Sequence, residues 1–114
     1  MLEITPTSDS GLLVVSLRGE ITSASAPQLE QALQAALAGV TPPRCVLDLA
    51  GLAFTSSAGL RVFLALAKRI KTAGGRLVFC AVQPAVREVF EVSGFTQILT
   101  LVPDLAAARG AVQP

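Results

Sequence analysis

The sequence contains no histidine, no tryptophan and no tyrosine, and its five phenylalanines are its only aromatic residues. Without histidine, neither a Ser–His nor a Cys–His nucleophile pair can be built, and a histidine-ligated metal site is impossible. Without tryptophan and tyrosine, an aromatic platform for stacked nucleic-acid bases is not expected. These absences remove the general base of most small-enzyme mechanisms and argue against a nucleic-acid-binding surface.

Charged residues are also scarce, at 15% of the 114 residues, and nine Lys and Arg against eight Asp and Glu leave a net charge of +1. A nucleic-acid footprint needs a clustered basic excess, which this balance does not supply. Hydrophobic residues make up 52% of the chain. That content is too apolar for disorder and is enough for a single domain over residues 1–114 to bury a core. So little charge also suggests that some apolar surface meets a partner.

Only two cysteines are present, Cys45 and Cys80, each in an apolar, strand-like stretch. We expect both to be buried and reduced; a disulfide or a metal site is the alternative, and two thiols without histidine fall short of a zinc ligand set. No apolar run approaches the ~20 residues of a membrane span, and residues 1–6 lack the pattern of a signal peptide. We therefore expect a cytoplasmic protein with no membrane or nucleic-acid partner, no metal and no cofactor.

Apolar periodicity and turn residues predict nine elements in the order ββαβαβαβα. In helix one, Ser25 is expected to cap the first turn, and an apolar stripe follows at helical spacing (Leu29, Ala32, Leu33, Ala36, Leu37). The predicted strands cover residues 2–7, 12–18, 45–49, 76–82 and 97–101, and the later helices begin at residues 57, 84 and 103. Alternating strands and helices predict an α/β fold, with a mixed, mostly parallel sheet of about four to five strands.

The segment Thr55-Ser56-Ser57-Ala58-Gly59 stands where a predicted central strand gives way to a helix. Functional loops of open α/β sheets lie at the carboxyl ends of strands, and the free N–H groups of a helix start favour negative charge. A phosphate on a serine here would be tolerated, which suits a phosphorylation switch. The alternative is that Ser56 or Ser57 simply caps the helix, which is worth about 1 kcal/mol.

Residues 48–62, Asp-Leu-Ala-Gly-Leu-Ala-Phe-Thr-Ser-Ser-Ala-Gly-Leu-Arg-Val, resemble the signature of the STAS domain family, with most similarity to anti-sigma factor antagonists. Residues 15–21, 74–77 and 90–95 add further matches, so the resemblance covers nearly the whole chain. It implies a non-enzymatic partner switch. The unphosphorylated protein would bind an anti-sigma factor that is a Ser/Thr kinase of the histidine-kinase-like ATPase fold. The kinase would phosphorylate the antagonist, and a metal-dependent Ser/Thr phosphatase would reset it.

Aligned on Gly59 and Leu60, the family motif places the phosphoacceptor at Ser57, with Ser56 as the alternative. Ser56 stands where the family keeps an aspartate, and Thr22 or Ser23 stands where an acid often follows Gly-Glu-Leu. An unphosphorylated scaffold module, as in stress-sensing complexes or anion transporters, is therefore the second hypothesis. The expected partner-binding residues surround the junction: Gly19, Glu20, Thr22, Ser23, Thr55, Ser56, Ala58, Gly59 and Arg61.

Overall fold

Five strands form one mixed sheet in the order β1-β2-β3-β4-β5 in the computed structural model, which describes residues 1–112. Strand β1 is antiparallel to β2, and the other neighbouring pairs are parallel. The strands are β1 (Leu2–Asp9), β2 (Leu12–Ile21), β3 (Arg44–Thr55), β4 (Arg76–Cys80) and β5 (Leu101–Val102). The helices are α1 (Ala26–Leu37), α2 (Ser57–Thr72), α3 (Pro84–Val92) and α4 (Leu105–Ala111). The predicted fold class and element order are confirmed, while residues 113 and 114 of the predicted domain lie outside the described residues.

The larger core lies between one face of the sheet and helices α1, α2 and α3. The predicted α1 stripe is buried there, with Leu29, Leu33 and Leu37 at most 5% exposed. Three phenylalanine rings from α2, β4 and α3 meet edge to face, with centroids 5.2–6.0 Å apart (Phe63, Phe79, Phe90). This geometry suits the aromatic quadrupole and adds to the area that the rings bury.

A smaller core lies on the opposite face, where α4 covers Val14, Val46 and Val78. Coverage on both faces explains why the central strands read as continuous apolar runs. The two cysteines belong to different cores, since Cys45 packs in the larger one and Cys80 in the smaller one. Both thiols are free and buried. Burial raises the pKa of Cys45 to about 12. Burial also raises the pKa of Cys80 to about 11, with Asp48 and Asp104 adding to that shift.

Several local predictions differ from the structure. The strands predicted over residues 2–7 and 12–18 extend to Asp9 and Ile21, and the strand predicted over residues 76–82 ends at Cys80. Of the strand predicted over residues 97–101, only Leu101 belongs to β5 (Leu101–Val102), because the turn that starts at Phe95 binds the amides of Ile98 and Leu99. The strand predicted over residues 45–49 runs on to Thr55, because β2 continues to pair with it. The Ser25 side chain makes no cap hydrogen bond to the first turn of α1, because it bonds to Thr22 instead.

None of the helices within residues 1–112 is both long enough and apolar enough to span a membrane.

Replacing Phe79 tests how far the aromatic cluster stabilises the fold. Phe79→Ala removes a fully buried ring, so we expect the free energy of unfolding to fall by about 3–5 kcal/mol. Phe54→Ala is the control, because Phe54 is 46% exposed, and it should cost about 1 kcal/mol or less. Urea unfolding followed by circular dichroism measures both changes. Equal losses would contradict the central role of the cluster.

Candidate functional site

The ends of β2 and β3 project together beyond the rest of the sheet. Pairing of β3 with β4 stops at Asp48 and Cys80, whereas pairing of β2 with β3 continues to Ile21 and Thr55. The hydrogen bonding between β2 and β3 continues one residue further, because the Ser56 amide, just before α2, donates to the Ile21 carbonyl at 2.8 Å. The carboxyl ends of the two strands thereby place the start of α2 beside the loop that follows β2.

Gly59 lets α2 approach β2 closely at this junction. A Cβ at this position would overlap Thr55 Oγ1 and lie 2.8 Å from Ile21 Cγ2. Thr55 itself is only 2% exposed, and its hydroxyl donates to the Ser56 carbonyl at 3.2 Å. Two of the predicted partner-binding residues, Thr55 and Gly59, therefore face inward and determine the geometry of the junction.

Ser56 and Ser57 have different environments. Ser56 has the extended backbone of an N-cap residue (φ −81°, ψ 171°), and its Oγ accepts from the Gly59 amide at 3.2 Å. Ser57 is the first residue of α2 and is exposed, and its hydroxyl makes no hydrogen bond to another part of residues 1–112. Ser56 therefore caps the helix, while the Ser57 hydroxyl is exposed to solvent.

The loop after β2 is held by a reciprocal pair of hydrogen bonds. The Thr22 amide donates to Ser25 Oγ at 2.9 Å, and the Ser25 amide donates to Thr22 Oγ1 at 3.2 Å. The Ala26 amide also donates to the Thr22 carbonyl, so the helical turn in effect begins at Thr22. This is the bonding pattern of a capping box, started one turn earlier than the sequence predicts. It leaves Thr22 and Ser23 exposed beside the junction.

The remaining predicted residues are exposed or half-buried. Glu20 and Arg61 are exposed, and Ala58 is half-buried at the start of α2. Gly19 has φ +100°, and a Cβ there would overlap the Met1 carbonyl oxygen. Gly19 is therefore required for the close contact of the chain start with β2.

Phe54 is the surface residue that the sequence analysis missed. It is 46% exposed at the end of β3 and pairs with Glu20 of β2. The register shifts between Gly19 and Glu20, since Gly19 pairs with Leu52 and Glu20 with Phe54. A β-bulge of this kind breaks the two-residue alternation, so a pattern that buries Leu52 no longer buries Phe54.

No arrangement for metal binding accompanies this site. Within residues 1–112, no three His, Cys, Asp or Glu side chains are grouped so that they could hold an ion.

Comparison with known proteins agrees with this architecture. The family model of the STAS domain matches residues 3–108. The chain is 44% identical over 110 residues to BtrV of Bordetella bronchiseptica, which is provisionally named an anti-sigma factor antagonist; the match covers 96% of this chain and 94% of that protein. It is 30% identical over 100 residues to an anti-sigma F factor antagonist of Paenibacillus polymyxa, covering 88% of this chain and 86% of that one. The crystal structure of an anti-sigma factor antagonist from Mycobacterium paratuberculosis superposes with a TM-score of 0.89 at 32% identity, covering 100% of this chain and 96% of that chain.

The close approach at Gly59 predicts a local cost for any larger residue. We expect Gly59→Ala to lower the free energy of unfolding by about 1–3 kcal/mol, since the added methyl group overlaps Thr55 and Ile21. Gly110→Ala in α4 is the matched control, because no atom lies within 4 Å of its Cβ position. That variant should be unchanged or up to about 1 kcal/mol more stable. Thermal unfolding that ranks the two variants equally would refute the packing argument.

The division between Ser56 and Ser57 predicts unequal effects of alanine at neighbouring positions. Ser56→Ala removes the cap of α2 and should cost about 0.5–2 kcal/mol. Ser57→Ala removes an exposed hydroxyl and should change the stability by no more than about 0.5 kcal/mol. Chemical denaturation of the two variants measures the difference, and a larger loss for Ser57→Ala would reverse the assignment of the cap.

Proposed function

Because this chain belongs to the STAS domain family, we propose that it acts as an anti-sigma factor antagonist whose partner binding is controlled by phosphorylation of Ser57. Relatives and a structural neighbour named for that role, similar over nearly their whole length, support the proposal. The single observation that carries the choice of residue is the exposed Ser57 hydroxyl at the first position of α2, next to a separate residue that caps the helix.

The start of α2 can accept a phosphate without loss of the helix. The free N–H groups of a first turn and the positive end of the helix dipole favour negative charge there. No acidic residue occupies that turn, and exposed Arg61 follows Ser57 by one helical turn. A phosphate of about −1.5 to −2 charges would therefore change the surface while Ser56 maintains the cap.

The partner in this proposal is an anti-sigma factor that is also a Ser/Thr kinase of the histidine-kinase-like ATPase fold. It docks on the face formed by Phe54, the start of α2 and the exposed loop at Thr22 and Ser23. Phe54 supplies apolar contact area, as aromatic residues at interface centres commonly do. Phosphorylation puts negative charge beside this apolar area. Binding would then have to remove water from the phosphate, and this desolvation penalty weakens the complex.

Catalysis in this scheme belongs to the partners. The kinase transfers the phosphate from ATP, and a metal-dependent Ser/Thr phosphatase removes it, while the antagonist itself acts only by binding. The sequence offers no histidine as a general base for chemistry of its own. Dependence on cellular ATP and two free, buried thiols support a cytoplasmic location.

A second candidate function is an unphosphorylated scaffold module of the stress-complex or transporter type. The observation in its favour is Ser56, which stands where the family motif has an aspartate, so the acid that normally precedes the acceptor is missing. In this alternative the same face binds its partner constitutively.

Phosphate mapping and binding of Ser57 variants distinguish the two functions. After incubation with the cognate kinase and ATP, mass spectrometry should find one phosphate on Ser57 in the parent and none in Ser57→Ala. Ser57→Asp should weaken kinase binding at least about tenfold, and Ser57→Ala should bind as the unphosphorylated parent does.

Ser8→Asp serves as the charge-matched control, because Ser8 is exposed in β1, where it pairs with Leu13 at the end of β2 remote from Ile21. It should bind like the parent. The switch would be refuted if neither Ser56 nor Ser57 carried a phosphate and Ser57→Asp bound the kinase as the parent does. The scaffold function would then remain.

A further inference from the structure

An apolar groove opens between the C-terminal half of α2 and the segment before β5. Its volume is about 350 Å³, which is within the range of small-molecule sites. Ala67 and Ile70 of α2 form one wall, and Leu77 of β4 and Leu99 form the other. Ile98 stands at its edge and is 61% exposed, so a large aliphatic side chain remains in water beside an apolar floor. We refer to this feature as the α2–β4 groove.

The groove exists because the sheet stops early at this edge. The amide of Arg76 donates to the Pro43 carbonyl, so the even-numbered amides of β4 point toward the side of β3. The amide of Phe79 donates to the Thr100 carbonyl at 2.8 Å, so the odd-numbered amides face the β5 edge. The Leu77 N–H therefore points to the β5 edge. Within residues 1–112, no backbone carbonyl at that edge accepts a hydrogen bond from it.

A tight turn draws the chain away from Leu77. The amides of Ile98 and Leu99 both donate to the Phe95 carbonyl, at 3.0 and 2.8 Å. Neither Ile98 nor Leu99 is therefore paired with β4 as a strand residue would be. A regular strand here would have closed the edge, and the turn instead leaves an apolar floor with an unpaired backbone donor.

Two lysines give the groove a positive rim. Lys68 and Lys71 line it and are exposed, and no carboxylate lines it. Within the described residues 1–112, the single ion pair joins Arg109 to Asp9, so neither lysine has an acidic partner there. An apolar floor with two ammonium groups and one free N–H at its edge matches an anionic head on an aliphatic chain.

We propose that the α2–β4 groove binds a medium-chain aliphatic carboxylate. The chain covers Ile98 and the apolar floor, and the carboxylate lies between Lys68 and Lys71 within reach of the Leu77 N–H. Covering Ile98 removes apolar surface from water, which is the main source of affinity. The lysine contacts are solvent-exposed and orient the ligand, and each adds a modest amount.

This site is separate from the proposed phosphorylation switch. Ser57 and Lys71 stand at opposite ends of α2, about 20 Å apart at the helical rise of 1.5 Å per residue. The inference does not depend on the anti-sigma factor role, and kinase binding by Ser57 variants does not test it.

Titration with sodium decanoate, below its micelle concentration, tests the site directly. In ¹H–¹⁵N correlation spectra we expect saturable shifts at the Leu77 and Ile98 amides and none at Ser57. Calorimetry with Lys68→Gln/Lys71→Gln should show binding about five- to tenfold weaker, as expected for the loss of two exposed ion pairs. Decanol should bind more weakly than decanoate, and acetate should not bind.

Arg69→Gln is the matched control, because Arg69 lies in the same turn of α2 but lines a cavity on the α1 side. It should bind decanoate like the parent. Ile98→Asp places a carboxylate at the rim and should abolish binding. Equal affinity in the parent and the double lysine variant, or shifts that do not include Leu77 and Ile98, would overturn the proposal.

Discussion

The parallel pairing of β2 with β3 is the constraint on which the candidate site depends. It continues to Ile21 and Thr55, well past the point where β4 stops. Because the Ser56 amide bonds to the Ile21 carbonyl, α2 must start within contact distance of β2, and a side chain at position 59 would clash with Thr55 and Ile21. One ladder thus brings the loop after β2, the end of β3 and the start of α2 onto one surface.

Much of this fold follows from local patterns in the sequence. The α1 stripe, the start of α2 at Ser57 and the buried central strands come from periodicity and turn residues, because each element buries one face or both. The bulge opposite Gly19 could not be predicted that way, since it depends on how two distant strands adjust their register. The exposure of Phe54 is a consequence of that bulge and was missed for the same reason.

The segment before β5 shows a different limit of sequence patterns. Its apolar residues suit a strand, but hydrogen bonds of Ile98 and Leu99 to the Phe95 carbonyl compete with the ladder and prevail. Ser25 illustrates the same competition on a smaller scale, since Thr22 offers it a partner outside the helix. In both cases local hydrogen bonding overrides the pattern, and near β5 it also creates the α2–β4 groove.

The different roles of Ser56 and Ser57 determine whether a phosphate on Ser57 would act on the fold or on partner binding. Ser56 caps α2 through the Gly59 amide, and Gly59 packs against Ile21, so the first turn is held independently of the Ser57 hydroxyl. A modification shifts a conformational equilibrium only by its differential interaction with the two states. With the helix start fixed by groups other than Ser57, we expect the folded chain to keep its geometry. The partner, whose interface must desolvate the added charge, would then be the element that responds.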